Sequence, residues 1–439
     1  MDRLSSVDSS FLSEEGWATH THVGAVMVFE GPPPAPEDFL AHVESRLDLV
    51  PRYRQRPVRP PFGLAADAWV DDPRFNLEYH VRITALPPPG SDDQLRRQAG
   101  RVFSQHLDRS KPLWELWLVE GLDGGRFAVI GKTHSALVDG VSRDLMSVLL
   151  EPTEKPSDPG GPRRSWTPRP EPTDAQLVSA AIADAPANFV SDVVRLPLGA
   201  LSALRERFEP TPVATPLNVP IGTHRRVAWT RQELGDFRVA KEALGGTVHD
   251  AYLTVVAGAL GLWLHSRGVS TSGLELRASA PVSTRDGRVA DVEVPLAVGV
   301  ADPVKRFEQI RDARLEATET VGALHAASIA ALEDFAPPTL LAQASRASLD
   351  HPAANLLAAN LPGPQFPLYL LGHRLEWLAP MGFLAERRAL VIAAISYDGH
   401  LDFGFLADYD AMPDIDRLPE FLDQAVTELL DQPRPAASG

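Results

Sequence analysis

Residues 131–142 read GKTHSALVDGVS and put His134, Ser135 and Asp139 within six positions, followed by Gly140. An imidazole can take a proton, a hydroxyl can attack or hydrogen-bond, and a carboxylate can orient either of them. Ahead of the stretch runs Arg126-Phe127-Ala128-Val129-Ile130, which reads as a buried strand; behind it, VSRDLMSVLL (141–150) reads as an amphipathic helix. The candidate chemistry therefore sits at a strand-to-helix junction. Other chemistry-bearing residues lie apart from it. His249-Asp250 opens the apolar run TVHDAYLTVVAGALGLWLHS, and Arg285 ends Pro281-Val282-Ser283-Thr284-Arg285. His20 and His22 are two apart and share a face if extended. No carboxylate stands near that pair at ligand spacing, so no metal site is expected.

Several chemistries lose their usual support. No G-x-S-x-G, P-loop, G-x-G-x-x-G or H-E-x-x-H occurs in the chain. There is no cysteine, which removes disulfides and thiolate catalysis. The net charge of −16 and pI near 5.3 argue against a nucleic-acid partner. No run of about 18 apolar residues occurs, and the N-terminus MDRLSSVDSSFLSEEG is too acidic for a signal peptide. A cytoplasmic enzyme or binding protein is expected.

The elements that must position these residues follow from periodicity. Strands are expected at 22–30, 113–120 and 126–130, with helices at 36–49, 93–107 and after 141. A proline-rich stretch, 151–172, reads as a linker, and 174–208 as helices interrupted at Pro186 and Pro197. Then come a strand at 225–229, a helix at 247–266, a strand entering PVST, and helical sequence over 303–349. Strands at 388–396 and 401–406 and a helix at 417–431 complete the pattern. With 439 residues, 44% hydrophobic and 23% charged, this is an α/β chain in two layered domains. The expected division is 1–150, a linker with crossing helices over 151–215, and 216–439.

Several blocks in order carry a family resemblance. They are LSSVDSSFL…HVGAVMVFEG, LDRSKPLWELWLVEGLDGGRFAVIGKTHSALVDGVS, PVSTR, ANLPGPQFPLYLLG and SYDGHLDFGFLAD. Over almost its whole length the chain resembles the bacterial wax ester synthase/diacylglycerol acyltransferase family. That family lies in the CoA-dependent acyltransferase superfamily with chloramphenicol acetyltransferase and peptide-synthetase condensation domains. The resemblance implies two chloramphenicol-acetyltransferase-like domains with a tunnel and active site at their interface. It implies acyl-CoA as donor and diacylglycerol or a fatty alcohol as acceptor. No cofactor or metal is implied, and the protein would be cytoplasmic, with peripheral contact to membrane or lipid droplets.

The family motif is His-His-x-x-x-Asp-Gly, whose second histidine is the base, worth roughly 10²–10⁴-fold in rate. Here that position is Ser135, and His134 keeps the first. Neighbouring side chains on a strand face opposite ways, so His134 would need a local bulge or a loop flip to reach the tunnel. The family's Asn-Asp on the central helix of the second half is here His249-Asp250, which makes His249 a candidate displaced base; a capped helix start with a packed histidine is the plainer reading. By resemblance Asp139 pairs with Arg285 across the domains, and Gly140 permits the turn. Trp114 packs the core or lines the tunnel, and Glu15 stands where the family often has an acid. Asn360-Leu361-Pro362-Gly363-Pro364 is expected to be neither helix nor strand and to pass near the tunnel. The arginines of PRYRQRPVRP (51–60) and Arg163-Arg164 are either solvated or attract phosphates. Three activities are compatible with these features: acyl transfer to these acceptors, acyl-CoA or lipid binding by a chain impaired at Ser135, and transfer to another alcohol.

Overall fold

The run of buried residues ending at His134 belongs to a six-stranded sheet in a computed structural model. It describes residues 2–4, 9, 11–13, 15–60, 67–138, 144–155, 166–173, 175–177, 215–283, 289–321, 337–349 and 353–431. In chain order the first half supplies β1 (Asp2–Arg3), β2 (His22–Phe29), α1 (Pro36–Arg46), β3 (Gln55–Val58), β4 (Ala68–Asp71) and β5 (Val81–Ala85). It continues with α2 (Asp92–Ser104), β6 (Trp114–Glu120), β7 (Phe127–His134) and α3 (Leu145–Leu149). The second half supplies β8 (Arg225–Glu233), α4 (Leu234–Leu244), α5 (Val248–Ser266), β9 (Leu276–Ser283), β10 (Val289–Leu296), α6 (Pro303–Val321) and α7 (Pro337–Ser348). After these come β11 (Leu356–Leu361), β12 (Tyr369–Leu370), β13 (His373–Met381), β14 (Leu390–Tyr397), β15 (His400–Asp408) and α8 (Arg417–Leu430).

The two large sheets run β12-β13-β2-β7-β6-β5 and β10-β9-β11-β14-β15-β8; β1, β4 and β3 form a small third sheet. The expected α/β class therefore holds. The expected 216–439 unit, however, lends β12 and β13 to the first sheet, where β13 pairs antiparallel with β2. The crossing is chemical in origin. β11 ends before Pro362, which has no N–H for the ladder, and the chain then docks on Glu151 through reciprocal 2.8 Å bonds with Tyr369. Asn360 and Leu361, expected outside any strand, instead pair with Ala394 and Ile395 of β14. The strand thus runs two residues further than the sequence reading placed its end.

β2 and β7 are buried throughout, so apolar runs rather than alternation mark them. Lys132 is the first of the buried polar residues that close β7. Its ammonium caps the end of α2, donating to Val102 O and Gln105 O at 2.9 Å each, with Glu115 at 3.4 Å. Gly131 lets α3 lie directly on β7, since a Cβ there would meet Met146 Sδ at 2.1 Å. α5 is buried on all sides, as its unbroken apolar sequence requires. No single described helix is long and apolar enough to cross a membrane; α4 and α5 pass together by composition but are bent by 103°. Of the helices read from 174–208, only residues 175–177, which are helical, are described; the rest lie outside the described residues.

Candidate functional site

β7 carries the motif to its end and breaks into a 3₁₀ turn, Ser135–Leu137. His134 N–H donates to Leu113 O at 3.0 Å and Ser135 N–H to Thr21 O at 2.9 Å, which fixes both residues between β6 and the entry to β2. Both side chains are fully buried. The His134 ring caps the turn: its Nδ1 accepts the Ala136 N–H at 3.0 Å. An acceptor at Nδ1 puts the ring proton of the neutral imidazole on Nε2. That nitrogen donates to Thr21 Oγ1 at 2.8 Å and lies 3.6 Å from Glu15 Oε2. His134 thus has no lone pair to offer a substrate in this arrangement, and no bulge turns it elsewhere.

Glu15 is the centre of a polar cluster that the sequence showed only in part. Its Oε2 accepts from Arg109 Nε at 2.7 Å, while Oε1 lies 3.1 Å from His22 Nε2 and 3.5 Å from His106 Nδ1. Burial raises the Glu15 pKa, but the hydrogen bonds from His134 and His22 outweigh it and hold the carboxyl well below its usual range. The rings of His20 and His106 meet tilted, with centroids 3.8 Å apart, those of His20 and His22 tilted at 5.8 Å, and those of His22 and His134 edge-on at 5.7 Å. His22 and His134 are register partners on β2 and β7. The shared face expected of His20 and His22 is present. His106 and Arg109, three apart in HLDR, gave no signal of their own. Among the described residues no three ligand-type side chains converge to hold a metal.

Asp139, Gly140 and Arg285 lie outside the described residues. A different buried acid–arginine pair is visible: Asp250 Oδ1 accepts from Arg314 Nε at 2.5 Å and Oδ2 from Arg314 Nη2 at 3.1 Å. The same carboxylate accepts from Thr247 N and Oγ1 and closes a capping box on α5. Arg314 sits in the charged sequence of α6, where nothing distinguished it from its surface neighbours. Next to Asp250, His249 is buried and stacks on Tyr252 at 5.8 Å. Its Nε2 has no hydrogen-bond partner among the described residues. Burial drives its pKa down, against the Asp250 charge and with that of Arg314, so the ring is neutral. No hydrogen bond, ion pair or ring contact joins it to His134 or Ser135 among the described residues.

Trp114 is buried, with its indole N–H on Tyr53 O at 2.7 Å and its ring stacked on His80 at 4.6 Å. This is core packing. Pro362 ends β11, and Gly363 N–H donates to Ser396 Oγ at 3.1 Å. The arginines of 51–60 are not a free basic patch. Arg52, Arg54, Arg56 and Arg59 face Asp2, Asp48, Glu171 and Asp67, and Arg52 and Arg54 lie over Trp69 and Trp166. Arg163 and Arg164 lie outside the described residues. Asp144, unmarked in the sequence, caps α3 through Ser147 N–H at 2.8 Å and accepts from Thr339 Oγ1 of α7 at 3.3 Å.

A family model of the wax ester synthase/diacylglycerol acyltransferase catalytic domain matches residues 4–252, and one of the WS/DGAT C-terminal domain matches 288–430. The chain is 33% identical to a protein named probable diacylglycerol O-acyltransferase tgs2 of Mycobacterium tuberculosis, covering 98% of this chain and 99% of that one. It is 30% identical to the protein named tgs1 of the same organism, covering 98% and 96%. Among solved structures, the wax ester synthase/diacylglycerol acyltransferase from Marinobacter aquaeolei VT8 superposes with a TM-score of 0.68 at 27% identity, over 97% and 98% of the two chains. The first condensation domain of the calcium-dependent antibiotic synthetase superposes with a TM-score of 0.56 at 14% identity, over 98% and 97%, a likeness of fold alone.

Proposed function

The chain belongs to the wax ester synthase/diacylglycerol acyltransferase family, and from that membership we propose that it moves a long-chain acyl group from acyl-CoA to the hydroxyl of diacylglycerol or of a fatty alcohol. The observation that carries the reading is the match of both family domains across the chain, with the β7–turn motif in its place.

In such a transfer the acceptor oxygen attacks the thioester carbonyl, the hydroxyl proton leaves to a base, and CoA departs as its thiol. Holding the two substrates in one dry tunnel supplies a large part of the rate. The proton is the difficulty, because position 135 is a serine, which has no basic lone pair at neutral pH without an activator. Ser135 is suited to hydrogen-bond the acceptor hydroxyl. Of the two histidines in question, His134 has both nitrogens engaged, whereas His249 is neutral with a free Nε2. His249 is therefore the proposed proton acceptor. The burial that keeps it neutral also makes it a weak base, so turnover below that of a histidine at 135 is expected.

A second reading is favoured by that same substitution: the chain binds acyl-CoA or lipid and turns over little. Acyl transfer from palmitoyl-CoA to diacylglycerol and to hexadecanol, run beside Ser135→His, separates the two. Comparable turnover supports a base elsewhere; turnover by Ser135→His alone supports the binding reading; inactivity of both argues against these acceptors. Peripheral contact with membrane or lipid droplets belongs to the proposal, because acceptor and product are water-insoluble. The exposed Trp17, at 77%, is the type of side chain that settles at such an interface.

A further inference from the structure

Between α2 and β8, where the two halves meet, lies a cleft of about 730 Å³. Arg96, Arg97 and Arg101 reach it from α2, and Arg225 and Arg226 from β8, against the carboxylates of Asp93 and Asp416 only. On a chain of net charge −16 this is a local excess of positive charge in a concave site. Arg96 pairs with Asp93 at 3.3 Å and Arg225 comes within 4.0 Å of Asp408, whereas Arg97, Arg101 and Arg226 have no carboxylate at ion-pair distance among the described residues. Arg97 and Arg101, one turn apart on the same helix face, are exposed, and neither guanidinium has an ion pair or hydrogen bond to a described residue. Arg226 lies over the half-exposed ring of Tyr409, 3.7 Å from its centroid, and gives the cleft a flat aromatic–guanidinium edge.

The floor of the cleft leads inward. Arg225 is buried and donates to Gly222 O at 2.7 Å, to His224 O at 3.1 Å and to Ala18 O. Its positive charge is felt at His20, the outer member of the ring series His20, His22, His134. Arg225 thus links the cleft to the polar cluster behind the Ser135 turn.

We propose that this cleft holds the phosphates of the acyl donor, the 3′-phospho-ADP end of CoA, with Arg97 and Arg101 as its outer contacts; the inference rests on the acyl-CoA reading given above. Guanidinium forks match phosphate oxygens in pairs, and the Tyr409–Arg226 edge suits a purine. An anionic lipid headgroup offers the same phosphate chemistry from another source.

The test is equilibrium binding of CoA and of adenosine 3′,5′-bisphosphate to the full chain and to R97E/R101E, with cosedimentation on phosphatidylglycerol vesicles beside it. The wild type should bind both nucleotides, more weakly as salt rises, and the variant at least about tenfold more weakly, as expected for lost charge-assisted contacts. Palmitoyl-pantetheine, which lacks the phosphates, should bind both proteins equally. Unchanged CoA affinity in a folded variant overturns the proposal, and loss of vesicle binding alone reassigns the cleft to lipid headgroups. Should charge reversal disturb folding, R97Q/R101Q reads out the same contacts. A wild type that binds no CoA at all would instead remove the acyl-CoA reading on which the proposal stands.

Discussion

Nδ1 of His134 lies 3.0 Å from the backbone nitrogen of Ala136 and accepts its proton. The ring that the motif places beside the missing base is thereby a cap for the turn. His134→Ala leaves the Ala136 N–H and the Thr21 hydroxyl buried without their partner, a loss of about 1–3 kcal/mol. The expected outcome is a lower urea midpoint with unchanged turnover per folded molecule. An unchanged midpoint with a collapsed kcat would make His134 the base after all.

Ser135→His should raise kcat, by up to roughly 10²–10⁴-fold if it restores a full general base. In the wild-type background, His249→Ala should abolish the residual turnover. Because burial lowers the His249 pKa from 6.5, kcat should stay flat across neutral pH and decline only in acid well below that value. Full activity of His249→Ala, measured by CoA release, would end its candidacy.

Asp250 and Arg314 are both buried and bonded through two nitrogens. Removing one partner leaves an uncompensated charge, so Asp250→Ala should cost about 3–5 kcal/mol in a urea titration. Asp250→Leu/Arg314→Met should recover much of that loss, because neither charge is then left buried.

Asp402 joins the two sheets, with its Oδ2 accepting from Leu378 N–H at 3.2 Å and Oδ1 lying 3.1 Å from Arg231 Nε. Burial pushes its pKa up to about 7, against the charge of Arg231 and the Leu378 hydrogen bond. Between its ordinary 3.8 and about 7 the folded protein binds the proton that the unfolded chain releases. Its contribution to stability therefore falls as pH rises through that window. Asp402→Asn should be more stable than wild type above that window, by roughly 1–3 kcal/mol, with the difference fading towards pH 4 in thermal melts.

Glu15 gives the opposite sign. Its folded pKa is held down, so its stabilisation is complete above the ordinary 4.5 and lost as pH falls below it. Glu15→Gln should cost about 1–3 kcal/mol at neutral pH, with the difference from wild type narrowing in acid. A pH-independent difference in melting would deny the carboxylate its charge role.

Helix starts and buried strands were legible where local chemistry acts alone. The helix read at 93–107 is present as Asp92–Ser104, capped by Ser91 and Gln94, and the strand at 22–30 as His22–Phe29. Ends were less legible. The strand read as 126–130 continues to His134, because Lys132, polar in sequence, is buried by the carbonyls closing α2. β10 and β13 were not read at all: β10 pairs with β9 just before it in the chain, and the mixed sequence of β13 acquires its long partner, β2, from a distant chain segment.

By itself the sequence determined the family, the α/β class, and the substitution of serine for the motif's second histidine, because residue identity and order are all these require. Only the tertiary structure decided what each polar group is free to do. It gave Nδ1 of His134 to a backbone N–H two residues on, and the Asp250 carboxylate to an arginine 64 positions away. It also neutralised the arginines of 51–60 while leaving Arg97 and Arg101 without carboxylates among the described residues. Lone pairs and charges are allotted by distance and burial, and those are fixed only when the two halves pack.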